Sequence, residues 1–262
     1  LNSMRDVPLL HLAVPLGFVC SLRSGEVAGI DANSVNPQDH SLWITQILER
    51  VSDDSLAQLP KERIVYVFPK QTSVSKSSLV LKAPKTEGSY RKQYLTGPLL
   101  DEIMQRLLVI EQNKATLGTA YHDYGLLICQ PDGRPIDPNN LCKAFRKWQS
   151  SMNIKNQIDF QGLRKSGQMH KVRISQNNYQ LVAESSGQSP EVLMSNYNEA
   201  LDSEKRELSQ MVEDDLYPAE RNQGASDGCS LDSDKLLEKI KSDPALSRRL
   251  LQLLLFGADK AV

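Results

Sequence analysis

Leu22-Arg23-Ser24-Gly25-Glu26-Val27-Ala28-Gly29-Ile30 sets one arginine and one glutamate into an apolar run. From Val7 to Ile30 apolar residues recur at helical spacing, which predicts two packed helical pieces ending near Gly29, with Pro15 and Gly17 as candidate kinks or breaks. A buried arginine is costly unless it is paired or hydrogen-bonded, so Arg23 needs either a structural partner or an anionic ligand. Glu26 lies three residues on, on the same helical face, where it can hold the guanidinium.

Outward from that stretch, Ser41–Arg50 and Lys61–Phe68 read as extended or short mixed segments around a polar loop. Ser77–Lys82 and Tyr90–Leu95 read as the two strands of a hairpin whose turn is Pro84-Lys85-Thr86-Glu87-Gly88-Ser89. Pro98–Asn113 is an amphipathic helix, and Leu126–Cys129 a short buried strand. Asp137 and Pro138 open a helix to about Met152, followed by helices over Phe160–Ile174, over Asn178–Ser185 and from Ser189-Pro190 through Tyr197. Residues 218–233 have the composition of a linker, and 234–262 that of a leucine-rich helical tail.

The chain has 262 residues and a net charge of −1, which by itself suggests no polyanionic partner. Residues 82–173, however, carry 15 basic and 8 acidic side chains, net +7, while 174–262 carry 9 and 16, net −7. That asymmetry points to an anionic partner for the middle of the chain. Cys20, Cys129, Cys142 and Cys229 are far apart, with no CxxC pair, so they read as reduced residues and not as zinc ligands or a disulfide framework. No apolar run reaches the roughly 18 residues a membrane span needs.

The candidate chemistry lies in three places. Lys85 sits at the hairpin turn with Lys82 before it and Arg91 and Lys92 after it, basic positions suited to a nucleic-acid backbone. Arg164, in Phe160-Gln161-Gly162-Leu163-Arg164-Lys165-Ser166, falls near the start of an apolar-faced helix, where an anion is favoured. Gln188 is followed nine residues later by Tyr197.

This ordered set resembles the catalytic domain of the tyrosine recombinases, the phage-integrase family, over roughly Val7 to Pro218. The resemblance implies an α+β, mainly helical fold with a small antiparallel sheet and hairpin. It implies a catalytic domain over 1–217, a linker over 218–233 and a tail over 234–262 that contacts another subunit or folds back on its own. An upstream DNA-clamping domain, usual in the family, is expected to be missing from this chain.

By the match of motifs Arg23 and Arg164 are the expected phosphate clamps, Lys85 the general acid and Tyr197 the nucleophile, with Glu26 supporting Arg23. Gln161 and Gln188 stand where the family usually has His or Lys, and His or Trp; Lys165 replaces a usual His. Glutamine donates a hydrogen bond to phosphate but moves no proton near neutral pH.

The implied activity is integration or excision of a mobile element through a 3′-phosphotyrosyl intermediate, without metal or other cofactor. Two rival readings are a recombinase-derived DNA-binding protein with weakened catalysis and a type IB topoisomerase-like strand relaxer. The implied partners are double-stranded DNA, further copies of the chain in a tetramer on synapsed duplexes, and an accessory DNA-bending or directionality protein. The implied setting is the bacterial cytoplasm, at the nucleoid.

Overall fold

Helix α1, Pro8–Val19, is apolar almost all round, and Leu10, Leu12, Ala13, Val14 and Leu16 are all buried. A helix with no polar face belongs inside, and α1 is the axis on which α2, α4, α5 and α6 pack. It runs unbroken through both Pro15 and Gly17, the candidate positions for a kink or break. The break comes instead at Ser21, whose φ of +50° turns the chain out of the helix. The surrounding core keeps α1 helical despite the hydrogen bond that Pro15 cannot donate.

The computed structural model describes residues 8–70, 72, 74–84, 89–197 and 202–216. After α1 come α2 (Ser24–Ala28), β1 (Val35–Asn36), β2 (Ser41–Ile44), β3 (Ile47–Ser52) and α3 (Asp53–Ala57). Strands β4 (Ile64–Val67), β5 (Ser77–Lys82) and β6 (Arg91–Tyr94) complete the β part. Five helices follow: α4 (Gly97–Leu117), α5 (Pro138–Ser151), α6 (Phe160–Ile174), α7 (Tyr179–Ser186) and α8 (Pro190–Tyr197). Residues 1–199 form one compact unit; a second, 200–262, contains α9 (Asp202–Leu216). The expected linker and tail lie outside the described residues.

The strands make two three-stranded antiparallel sheets, ordered β1-β2-β6 and β3-β5-β4. The expected hairpin is therefore corrected: β5 and β6 are both strands, but they belong to different sheets. Ile44 pairs with Arg91 and Ile47 with Lys82, so two residues separate the pairings on one side and eight on the other. The chain between Lys82 and Arg91 therefore links two sheets instead of closing a hairpin. Leu126–Cys129 is buried as expected, yet it makes only isolated bridges, to Asp31 and Pro135.

Helix α6 has the bounds the sequence predicts, with the Asp159 side chain accepting a hydrogen bond from the Gly162 N–H at its N-terminus. Asp137 likewise caps α5 through the Asn139 N–H. Helices α1 and α6 cross in close contact, with Gly17 facing Phe160 and Leu163 and Gly167 facing the Phe18 carbonyl. Helix α2 lies against β3 in the same way, its Gly25 and Gly29 over the Leu48 backbone. These two contacts bring the start of α2 next to α6.

Candidate functional site: an arginine cluster on one carboxylate

The turn between α1 and α2 carries the site's first residues. Arg23 is the N-cap of α2; its N–H donates to Glu26 Oε2 at 2.8 Å and its Nη1 to Glu26 Oε1 at 3.1 Å. Glu26 is buried, whereas the Arg23 side chain keeps 46% of its surface open to solvent. The same carboxylate receives both ends of the Arg91 guanidinium, Nη1 to Oε1 at 3.0 Å and Nη2 to Oε2 at 2.9 Å. Arg164 Nη1 reaches Oε2 at 3.4 Å.

Arg164 is almost wholly enclosed, at 1% exposure. Its Nη1 also donates to the Ser21 carbonyl at 2.6 Å and its Nη2 to the Ser186 carbonyl at 2.7 Å. The unusual φ of Ser21 thus serves a contact, turning that carbonyl toward α6. Three guanidiniums share one carboxylate, so the cluster carries a local excess of two positive charges.

Burial alone would raise the Glu26 carboxyl, but the Arg91 hydrogen bonds and charge, the Arg23 N–H and the Arg164 charge outweigh it and hold the group below the usual carboxylate range. Burial, helped by the charges of Arg23 and Arg91 and opposed by Glu26, pulls Arg164 down to about 10, so it stays protonated at neutral pH. Lys171, two turns beyond Arg164, is lowered first by burial and then by Arg91 and Arg164, with Cys20 opposing.

The sign of the Glu26 shift sets a pH dependence. A depressed folded-state value gives stability that is full above the unfolded carboxyl value of about 4.3 and is lost as pH falls through the lower folded-state value. Wild-type stability is expected to drop below about pH 5, and that of Glu26→Gln to drop less steeply. Chemical unfolding across that acid range checks it; parallel acid limbs for the two proteins would refute the linkage.

The cluster forms part of the wall of an open cleft of about 980 Å³. Arg23, Glu26, Gln161 and Gln188 line it, and so do Arg50 and Arg146. Gln188 follows Gly187, the left-handed C-cap of α7 at φ +63°, and its Nε2 is buried without a hydrogen-bond partner. Gln161 is exposed at the start of α6. Helix α8 packs on α6 and α7 through Leu193 and ends at Tyr197, whose side chain lies outside the described residues, as does Lys85.

The remaining expected positions are placed differently. Lys165 is exposed on α6 and is not a lining residue of the cleft. Lys82 pairs with Glu49 beside the cleft, and Lys92 pairs with Asp39 in the other sheet. Arg91, expected to face DNA, points inward, because Glu26 offers a buried carboxylate on that side of β6. Sequence reasoning missed Arg50, held by Asp137 at 2.5 Å, and the exposed Arg146 of α5. The dense basic run Lys143-Ala144-Phe145-Arg146-Lys147 was the signal for the second.

No family model and no curated protein matches the chain by sequence. Solved structures do match it. The Tn1549 transposon integrase in complex with transposon right-end DNA superposes with a TM-score of 0.54 at 12% identity, over 78% of this chain and 59% of that one. The fold is that of a tyrosine recombinase catalytic domain. XerA recombinase matches with a TM-score of 0.52 at 10% identity, over 80% of this chain and 60% of that one. XerH recombinase in a post-cleavage complex with palindromic difH substrate matches at 0.50 and 13%, over 81% and 47%. The chain thus spans about half to three fifths of the recombinase chains it matches. Among the described residues no helix is long and apolar enough to cross a membrane, and no cluster of His, Cys, Asp and Glu could hold a metal ion.

Proposed function

We propose that the chain cuts and rejoins DNA strands as a site-specific tyrosine recombinase, in integration or excision of a mobile element. The observation that carries this is the Arg23–Glu26–Arg91–Arg164 cluster, which reaches the cleft through Arg23 and Glu26 and sets its excess positive charge behind the same wall that holds the unpartnered donor of Gln188. A fixed array of cationic and neutral donors in a partly enclosed site suits a phosphodiester that gains charge in its transition state.

In this reading Tyr197 Oη attacks the phosphorus. The Oη–P bond forms as the P–O5′ bond breaks, and Lys85 gives a proton to the departing 5′-oxygen. The phenolic proton leaves to water, since neither glutamine accepts it. Arg23 meets the non-bridging oxygens from the cleft and Arg164 adds its charge from beneath the wall. Gln161 and Gln188 orient the phosphate. A 5′-hydroxyl of the second duplex reverses the step, so no cofactor enters. Duplex DNA is held along Lys82, Lys92 and the additional cations Arg50 and Arg146. Four copies assemble on paired duplexes, with the segment after residue 217 as the link and an accessory DNA-bending protein setting direction, at the bacterial nucleoid.

One observation favours a second reading, a DNA-binding protein derived from such an enzyme: Arg164 Nη1 and Nη2 are engaged by the Ser21 and Ser186 carbonyls. One experiment separates the two. Duplexes selected by the protein from a randomised library are nicked near the bound site and searched for a covalent protein–DNA adduct. Strand transfer predicts an adduct that is lost in Tyr197→Phe; binding without an adduct supports the second reading, and no selected duplex refutes both. Gln188→Ala is expected to slow adduct formation about 100-fold, the usual cost of one lost oxyanion donor, with binding nearly unchanged.

A further inference from the structure

Arg91 touches three segments that are far apart in the chain. Its two terminal nitrogens bind the two Glu26 oxygens end-on, with side-chain exposures of 5% and 3%. Its Nη1 also donates to the carbonyl of Ser89, four residues after Lys85 in the chain, at 3.2 Å. Its guanidinium presses on Gly187, where an added Cβ would stand 2.9 Å from Nη1 and 3.1 Å from Cδ and Cζ. Gln188 is the next residue. Arg91 is not among the residues that line the cleft, so it acts through its neighbours.

Glu26 accepts five hydrogen bonds from the three arginines, and two of them come from Arg91. Without Arg91 the carboxylate would be left to Arg23 and Arg164 alone. A buried carboxylate draws cations strongly, and the half-exposed Arg23, already bonded to it through Nη1, would be drawn further in.

Resting on the strand-transfer reading above, we propose that Arg91 is a positioning residue: by occupying both oxygens of Glu26 it leaves Arg23 and Arg164 charge for the scissile phosphate, and by abutting Gly187 it fixes the approach of Gln188. This role separates Arg91 from the basic residues that hold DNA. It also ties the end of the Lys85 segment to the clamp, since Ser89 and Glu26 share one guanidinium. A Lys at this position would keep the charge but could not grip both oxygens in one plane.

The test uses two scissile linkages. Wild-type protein, Arg91→Met and Arg91→Lys are compared on a selected nicked duplex with an ordinary phosphodiester and on the same duplex with a methylphosphonate at the mapped cleavage point. The methylphosphonate has no negative charge, so it asks little of the guanidinium clamp. On the phosphodiester the variants are expected to form adduct about 100-fold more slowly, the scale of an ångström-level misplacement of catalytic groups. On the methylphosphonate the deficit is expected to shrink to within about tenfold, with Arg91→Lys the milder of the two. Equal deficits on both linkages would show a general structural role and overturn the proposal, as would variants that cut the phosphodiester at the wild-type rate. If Arg91→Met does not fold, Arg91→Lys alone decides between these outcomes. A wild type that forms no adduct on either linkage would refute strand transfer itself, and the role assigned to Arg91 with it.

Discussion

Glu26→Ala is expected to destabilise the protein by about 3–5 kcal/mol, the range seen when one partner is removed from a buried charge cluster. The cost comes mainly from Arg91 and Arg164, because both are buried and neither can turn to solvent. Arg23 contributes little, since nearly half of its side chain is already exposed. Two buried guanidiniums would face each other without the carboxylate that separates them. Glu26→Gln keeps one acceptor oxygen but turns an amide N–H₂ toward cations, so it is expected to recover only part of the loss. Urea unfolding at neutral pH measures both variants. A Glu26→Ala midpoint within about 1 kcal/mol of wild type would mean that the cluster does not hold the two ends of the fold together.

The second large effect is expected from Gly167→Ala. A Cβ there would stand 2.1 Å from the Phe18 carbonyl oxygen and 2.9 Å from its carbon, both backbone atoms with no rotamer to change. Helices α1 and α6 must part, and forced separation of a well-packed contact costs about 1–3 kcal/mol, occasionally more. Two backbone clashes at one site place this variant at the upper end. The consequence reaches the cluster, because Arg164 lies one turn before Gly167 and Ser21 lies just beyond α1. Parting the helices lengthens the 2.6 Å bond between them, and adduct formation is expected to fall about 100-fold beside the stability loss. Gly17→Ala is the control from the other side of the crossing. Its Cβ would meet the edge of the Phe160 ring at 2.9 Å, a side chain that can give, so a milder loss is expected. Equal losses from the two variants, or none from Gly167→Ala, would count against a rigid crossing.

Much of the fold was legible because its signals are local. Asp159 and the apolar spacing after it mark α6 at both ends, and Asp137-Pro138 marks the start of α5. The pairing of β5 and β6 was not legible, since each strand was visible but its partner, β3 or β2, lies far earlier in the chain. Adjacency in sequence favoured a hairpin, and the link Thr45-Gln46 that carries one ribbon across two sheets gave no sign of it. The inward turn of Arg91 was missed for the same reason. Its basic neighbours suggested a position facing nucleic acid, and the carboxylate that claims it is 65 residues away. Alternation along β6 held a hint, for Arg91 and Gln93 are buried while Tyr94 is exposed. Gln188 was found by its spacing from Tyr197, but its lack of a hydrogen-bond partner required the tertiary structure. Arg50 lines the cleft beside its ion-pair partner Asp137, the N-cap of α5, which lies 87 residues later in the chain.

The span of those contacts bears on synthesis. Arg164 binds the Ser21 carbonyl across 143 residues and the Glu26 carboxylate across 138. Contacts of such range form late, after the segments between them have emerged and collapsed. A nascent chain halted on the ribosome before residue 164 holds Arg23, Glu26 and Arg91 but no finished clamp, and one halted before residue 188 has Gln161 but lacks Gln188. The groups proposed to act on DNA therefore come together only when nearly the whole of residues 1–199 has been made.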